Sequence, residues 1–440
     1  MPAEADVTLR VVLRHLAEYG PISRPDLVDG VGLARATTSS VVNELMRRGL
    51  VGEVPTPGTG RRGRPTHLLA LDDDRFAVVG LEIGLDRVLA GAFTLRGRHL
   101  VRLDEPVELS TTNPRALLRV AASLTYQVIE QVTAAGRTLL GTGVSVTGLV
   151  DATSGTIKYV PSLGWRDVAV RAGVQDALAA ASAGPATPVI VDSGANFGVL
   201  AERRARLRAG HEVPSLVYLT GTYGISAGIM AGDRMWRGAR GLAGEVGHLI
   251  LEPGGQRCVC GRRGCFETRA GVHAILAAAG LESRIPVGDG EAEAGPARGG
   301  APASAAAYPA AATAALSAAV DELVRRAEAE DPRTIAALAD AGNWLGIGAA
   351  AVCAILDPRL VVLGGHYTRL APWMLTSVRR SFVASLLVTE ADPPQIEPSV
   401  LGAWGSVEGA ALAVLEQLLD GIRPLPAALE QPRHDRAAAG

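Results

Sequence analysis

The chain has 440 residues, 48% of them hydrophobic and 20% charged, and its 43 basic side chains against 45 acidic ones leave a formal charge of −2. That composition excludes disorder throughout, and at roughly 150 residues per domain it provides two or three folding units. Arginine supplies almost all the basic charge, since Lys158 is the sole lysine, and the stretch from Arg47 to Arg64 is locally basic with Glu53 its only acid. Met1 to Asp6 is acidic and polar, without the charged-then-apolar pattern of a leader.

Leu9, Val12, Leu13 and Leu16 recur at helical spacing, and Gly20-Pro21 ends that segment. Ser23 is placed to cap a short helix through Val28, and after Gly30 and Gly32 a third helix starts near Ala34 and ends at Gly49. Its Thr38, Val41, Val42 and Leu45 share one face, with Ser40, Asn43 and Arg47 opposite. Leu50 to Val54 and Thr66 to Leu71 read as strands around a Gly/Pro/Arg loop. Three helices and a hairpin with a basic tip describe a winged helix-turn-helix over residues 1–72.

Such a module lays its recognition helix in the major groove of double-stranded DNA, while flanking groups hold phosphates. Arg35, Thr37, Ser39, Ser40 and Asn43 are the polar residues positioned to reach bases, where Arg and Asn make bidentate contacts. Arg61, Arg62 and Arg64 at the tip suit phosphates or the minor groove. The competing reading is a protein-contact module whose arginines only solvate a loop; the agreement of basic tip and polar helix face favours operator DNA.

From Phe76 the texture changes to apolar strands ending in glycine turns: Ala77 to Gly84, Gly143 to Val150, Val189 to Asp192, Leu216 to Thr220 and Leu360 to Gly365. Helical stretches such as Pro114 to Ala134 lie between them, which predicts an α/β domain with a largely parallel or mixed sheet over residues 73–422. A Gly/Ala/Pro-rich insertion interrupts it at 282–309, and residues 423–440 read as a flexible tail. Ala341 to Leu356 is the most apolar run, but it is short and interrupted by Asn343, so it is expected to be a buried helix in a cytoplasmic protein without a membrane span.

His248, Cys258, Cys260 and Cys265 supply one imidazole and three thiolates, the donor set of a closed structural zinc site. A chain of this length needs no disulfide staples, and clustering of this kind reads as metal ligation; free thiols in a loop are the alternative. Cys353 lies in the apolar run and reads as a packed core thiol.

These residues carry a resemblance over nearly the whole chain. Gly241 to His248, followed by the Cys-X-Cys-Gly-X-X-Gly-Cys-X-Glu stretch ending at Glu267, is similar to the signature of the ROK family of repressors, open reading frames and sugar kinases. The winged helix resembles the repressor branch, and Leu356 to Gly365 is similar to a further family motif. The resemblance implies a two-lobed actin-like (ribonuclease H-like) ATPase fold with sugar between the lobes and zinc bracing the sugar-contacting loop. It implies effector contacts by Glu245, His248, Glu267 and Asn196, with Ser162 and Ser193 standing where the family pattern has asparagine and Trp165 placed to stack on a ring. Glu245 and Glu267 read alternatively as supports for the metal ligands.

Kinase members need two phosphate-binding turns and a catalytic aspartate. Here Glu82-Ile83-Gly84-Leu85-Asp86 lacks the second glycine and the hydroxyl of the first turn, and Thr222 to Gly228 carries added bulk in the second. Thr147 replaces a proline of the Gly-X-Pro-Gly turn. Gly194 stands at the position of the base and has no side chain to accept a proton. The expectation is a sugar-responsive transcriptional regulator, a homodimer or homotetramer on DNA, that is no enzyme and needs no ATP.

Overall fold

Helix α1 (Glu4–Tyr19) buries Leu9, Val12, Leu13 and Leu16 along one face. Helix α2 (Arg24–Val31) begins at Ser23, whose Oγ accepts from the Asp26 amide at 3.3 Å, and ends at the left-handed Gly32. It passes the expected end at Val28, because Gly30 lies against α1 so closely that a Cβ there would meet the His15 ring at 2.4 Å. Helix α3 (Arg35–Arg47) buries Thr38, Val41, Val42 and Leu45, and strands β1 (Val51–Pro55) and β2 (His67–Leu71) pair antiparallel to form the wing. The computed structural model describes residues 4–55, 67–107, 114–160, 165–181, 188–281, 310–387 and 393–428. Arg61, Arg62 and Arg64, Ser162 and the insertion at 282–309 lie outside these.

The first lobe contains β3 (Phe76–Ile83), β4 (Arg87–Phe93), β5 (His99–Pro106), α4 (Pro114–Ala134) and β6 (Thr138–Val146). There follow a small antiparallel sheet of β7 (Leu149–Asp151), β8 (Thr156–Val160) and β9 (Trp165–Ala169), then α5 (Val170–Ala181), β10 (Val189–Ser193) and α6 (Gly194–Arg208). The single strand expected over Gly143 to Val150 is thus two: β6 stops at Val146, Gly148 takes a φ of 103°, and the chain enters a different sheet. The second lobe holds β11 (Ser215–Gly221), β12 (Ile225–Ala231), β13 (Arg234–Met235), α7 (Glu267–Ala270), α8 (Val272–Ala278), α9 (Ala310–Glu328) and α10 (Pro332–Leu356). It is completed by β14 (Leu360–Gly365), α11 (His366–Ser385) and β15 (Gln395–Pro398), after which α12 (Gly405–Leu419) returns to the first lobe.

The main sheets run β10-β6-β3-β4-β5 and β13-β12-β11-β14-β15. In each, an antiparallel three-strand meander is extended by two parallel strands on the side of its first strand, the duplicated topology of an actin-like fold. Helix α10 is apolar and long enough to cross a bilayer, but Leu338, Ala341, Leu345 and Ala349 are buried in the core of the second lobe and the helix lies along α11. Helix α12 lies directly on the first sheet because Gly80 and Gly143 leave room: a Cβ at either would come within 2.0 Å or 1.9 Å of the Val407 or Ala410 carbonyl oxygen.

Head and lobe share one apolar core. Leu13 and Leu16 of α1 cluster with Val414, Leu415 and Leu418 of α12 and with Phe76 and Val78 of β3. The beginning of the expected tail belongs to this core, since Leu425 is 7% exposed and the Arg423 carbonyl accepts from Arg10 Nη2 at 3.1 Å. Residues 429–440 lie outside the described ones.

Candidate functional site

The cysteine loop leaves β13 and is closed by short-range backbone bonds: Cys258 N donates to Arg262 O, Gly264 N to Gln256 O and Phe266 N to Leu249 O, all at 2.7–2.8 Å. Gly264 packs against the Glu252 carbonyl at a distance no Cβ would tolerate. His248, at the end of a single 3-10 turn, and the three cysteines bring their donor atoms within 4.8 Å of one another. Cys260 Sγ lies 3.6 Å from Cys265 Sγ, and Cys258 Sγ lies 3.7 Å from His248 Nδ1. Around a tetrahedral ion with bonds of about 2.3 Å, sulfurs stand roughly 3.7 Å apart, so these two pairs already stand at the separation a metal ion requires. The Cys258 thiol holds Cys260 well below the usual thiol range, helped by His248 and Arg262, while Cys258 itself is pushed up by that bond and by burial. One thiolate is therefore already favoured before any ion binds.

Beside this loop a cleft of about 140 Å³ opens between the lobes. The first lobe contributes Glu82, Ser145, Thr147, Ser193 and Gly194; the second contributes Thr220, Thr222, Tyr223, Glu245, His248 and Glu267. Burial raises both Glu245 and Glu267 above the usual carboxylate range. Glu267 Oε1 accepts from the Cys258 thiol at 2.9 Å and lies 3.4 Å from His248 Nδ1, so it touches both cleft and metal loop. Carboxylates and hydroxyls at this density can satisfy the paired hydroxyls of a polyol.

Of the expected effector residues, Ser193, Glu245, His248 and Glu267 come together here. Asn196 and Trp165 do not. Asn196 is 4% exposed and donates to Asp192 Oδ1 at 2.7 Å, fixing the start of α6. Trp165 is 6% exposed within the core of the first lobe, so its ring faces packed side chains and does not line the cleft. Ser193 caps α6, accepting from the Asn196 amide at 3.3 Å.

The end of the cleft nearest the β3–β4 turn is closed by side chains that sequence patterns did not single out. Tyr223 Oη accepts from the Leu85 amide at 2.9 Å and donates to Asp86, and Ser317 Oγ of α9 donates to the other Asp86 oxygen at 2.6 Å. Ser406, at the start of α12, donates to Glu82. The extra bulk at Tyr223 was legible; Ser317 and Ser406, 231 and 324 residues from their partners, left no local signal.

On the head, Arg35, Thr37, Ser39, Ser40 and Asn43 are all exposed on α3, opposite its buried face. Two helices join this head to the cleft. α6 starts at Gly194 on the cleft floor, and about 14 Å along, at 1.5 Å per residue, its Arg203 meets Glu18 of α1 at 3.2 Å. α12 starts beside Glu82 and ends where Leu418 O accepts from Arg10 at 3.0 Å and Glu416 pairs with Arg14 at 3.1 Å.

A winged-helix head sharing its core with a duplicated actin-like domain, with a three-cysteine, one-histidine loop at the interlobe cleft, defines the class: a DNA-binding fold joined to a sugar-kinase-like one. The chain belongs to the ROK family, whose model matches residues 78–417. It is similar to the xylose repressor of Bacillus subtilis (strain 168), 24% identical over 94% of this chain and 97% of that one. It is also similar to the DNA-binding transcriptional dual regulator NagC of Escherichia coli (strain K12), 29% identical over 63% of this chain and 67% of that one. Among solved structures, a ROK family transcriptional regulator described as a homolog of the E. coli MLC protein superposes with a TM-score of 0.69, at 23% identity, covering 95% of this chain and 97% of that one.

Proposed function

We propose that this protein is a sugar-responsive transcriptional regulator, repressor in type, that binds operator DNA with residues 1–72 and a carbohydrate effector between the lobes of residues 73–422. The observation that carries the reading is continuous: the exposed polar face of α3 sits on a head whose α1 is bonded to α6 and α12, and both helices begin at the cleft. The names of the xylose repressor and NagC relatives agree with it. Arg35, Thr37, Ser39, Ser40 and Asn43 read bases, and Arg61, Arg62 and Arg64 hold phosphates or the minor groove. Two or four copies would present paired heads to a palindromic site in the cytoplasm, without a membrane anchor.

His248, Cys258, Cys260 and Cys265 hold structural zinc, which supplies rigidity to the loop carrying Glu267; the donor set and spacing support this. The domain works without ATP and without catalysis. Gly194 offers no base, and an added Cβ there would already stand 3.2 Å from Ser145 Oγ. Ser193, Glu245, His248 and Glu267 are the effector contacts, each supplying a polar atom to the cleft.

Binding a sugar between lobes changes DNA affinity only if the two lobe arrangements bind it unequally. Electrophoretic mobility shifts with the promoter DNA of neighbouring genes, with and without a sugar panel, test the reading. A shift at moderate salt that one sugar reverses is expected; no specific shift refutes the DNA assignment.

A further inference from the structure

Two observations restrict what the cleft can hold. The first is charge. Among the described residues lining it there is no Lys or Arg, while Glu82, Glu245 and Glu267 face it and Asp86 stands behind Tyr223. Three nearby guanidiniums are already engaged, Arg237 with Asp192 at 2.8 Å, Arg87 with Asp104, and Arg269 with Glu252, and Arg257 lines the adjoining cavity, not this cleft.

The second is occupancy. Recognition of a phosphate uses arginine forks, backbone amides or a helix N-terminus. The amide of the β3–β4 turn, Leu85 N, is already bonded to Tyr223 Oη, and a Cβ at Gly84 would meet that oxygen at 2.8 Å. The N-terminus of α6 is the other anion-friendly feature. It is taken by Asp192, which is 2% exposed and accepts from the Ser193 amide at 2.8 Å, and by the Ser193 cap. A phosphate ester, carrying nearly two negative charges, would enter a cleft with acids on its walls and with the Leu85 amide and the start of α6 already bonded.

We propose that Tyr223 and Asp86 are specificity-determining residues that confine this cleft to uncharged sugars and reject their phosphate esters. The inference rests on the sugar-sensor reading above and narrows its effector class. The test is calorimetric titration of the full chain with matched pairs: glucose and glucose 6-phosphate, N-acetylglucosamine and its 6-phosphate, with xylose as a further neutral probe. At least one free sugar is expected to bind, with its ester weaker by about a hundredfold or more, as like-charge juxtaposition costs several kcal/mol. In Tyr223→Gly and Asp86→Asn that ratio should shrink by about tenfold. An ester that binds as tightly as its free sugar overturns the inference and leaves the sensor reading intact. An unchanged ratio in both variants removes the role of Tyr223 and Asp86. No binding by any sugar, free or esterified, overturns the sensor reading itself.

Discussion

Removing the Glu416 carboxylate tests the connection between head and sensor. Glu416 is 18% exposed and serves two guanidiniums at once: that of Arg204, whose side chain is 2% exposed, and that of Arg14 at 3.1 Å. Arg14 retains Asp420 at 2.6 Å, so its loss is modest. Arg204 fares worse, because its Nη1 already has no hydrogen-bond partner among the described residues. Stranding a buried charge costs about 3 to 5 kcal/mol, and the partial exposure of Glu416 trims this to about 2 to 3 kcal/mol for Glu416→Ala. Urea denaturation would read it as a lowered midpoint. Because the cost is the stranded cation and not a lost attraction, adding Arg204→Leu should recover about half of it or more. A Glu416→Ala protein within about 0.5 kcal/mol of the parent refutes the reasoning. The same variant should keep its affinities for DNA and sugar while losing most of the effect of one on the other, normally about 1 to 3 kcal/mol of coupling.

Four further outcomes follow from the geometry. Metal analysis by mass spectrometry should find about one zinc per chain, and Cys260→Ser should lower the melting temperature and the sugar response; zinc-free protein of full stability refutes the site. Gly194→Asp should restore no ATP-dependent sugar phosphorylation, since a base contributes about two to four orders of magnitude and Tyr223 still closes the phosphate end; measurable turnover would count against that occlusion. Asn43→Ala should cost about 1 to 3 kcal/mol at one operator position, whereas alanine at Arg61, Arg62 and Arg64 should weaken all sequences alike and flatten the salt dependence of binding. Burial lowers His366 to about 4, below its unfolded value of about 6.5, so the folded state binds fewer protons between them. Its contribution, at most about 3 kcal/mol, is complete above about pH 6.5 and fades as pH falls toward about 4; His366→Gln should flatten that slope in denaturation midpoints.

Legibility from sequence followed the range of the interactions. The head is written in local signals, so the face formed by Thr38, Val41, Val42 and Leu45 and the Ser23 cap could be read directly, and among its described residues the helix ends departed from expectation by two or three residues, as at α2 where Gly30 packs on His15. The clustering of the cysteine loop with His248 was legible because its three cysteines lie within eight residues and such spacing has few uses. Trp165 and Asn196 were misplaced for one reason: a motif position gives a residue's neighbourhood, but which way the side chain turns depends on packing from elsewhere in the chain. For Trp165 that packing is the apolar core of the first lobe; for Asn196 it is the Asp192 carboxylate that α6 needs at its start. The closure of the phosphate end was half visible. Tyr223 broke a glycine pattern, but its bond to Leu85 spans 138 residues and exists only once the lobes are folded.

The division of the cleft between lobes sets what a sugar must do to act as a signal. Moving a population from about 1:99 to 99:1 requires about 5.5 kcal/mol of differential binding. Hydrogen bonds to charged groups contribute about 1.5 to 3 kcal/mol each, so two to four such contacts, made in one lobe arrangement and lost in the other, are sufficient. Glu82 lies on one side of the cleft, Glu245 and Glu267 on the other, and hydroxyls of Ser145, Ser193, Thr220 and Thr222 lie on both. A sugar hydrogen-bonded to both walls meets that requirement without any chemistry on the ligand. Its pull acts at the first turns of α6 and α12, whose far ends hold α1 through Arg203, Leu418 and Glu416. Because α12 shares a packed core with the head and α6 is tied to α1 through Arg203, a shift of their first turns is expected to displace α1, and with it α3. Glu82→Gln and Glu245→Gln should therefore reduce the sugar response together with sugar affinity while leaving sugar-free DNA binding in place. Sugar-free DNA binding lost in both variants would show that these acids hold the fold and do not read the ligand.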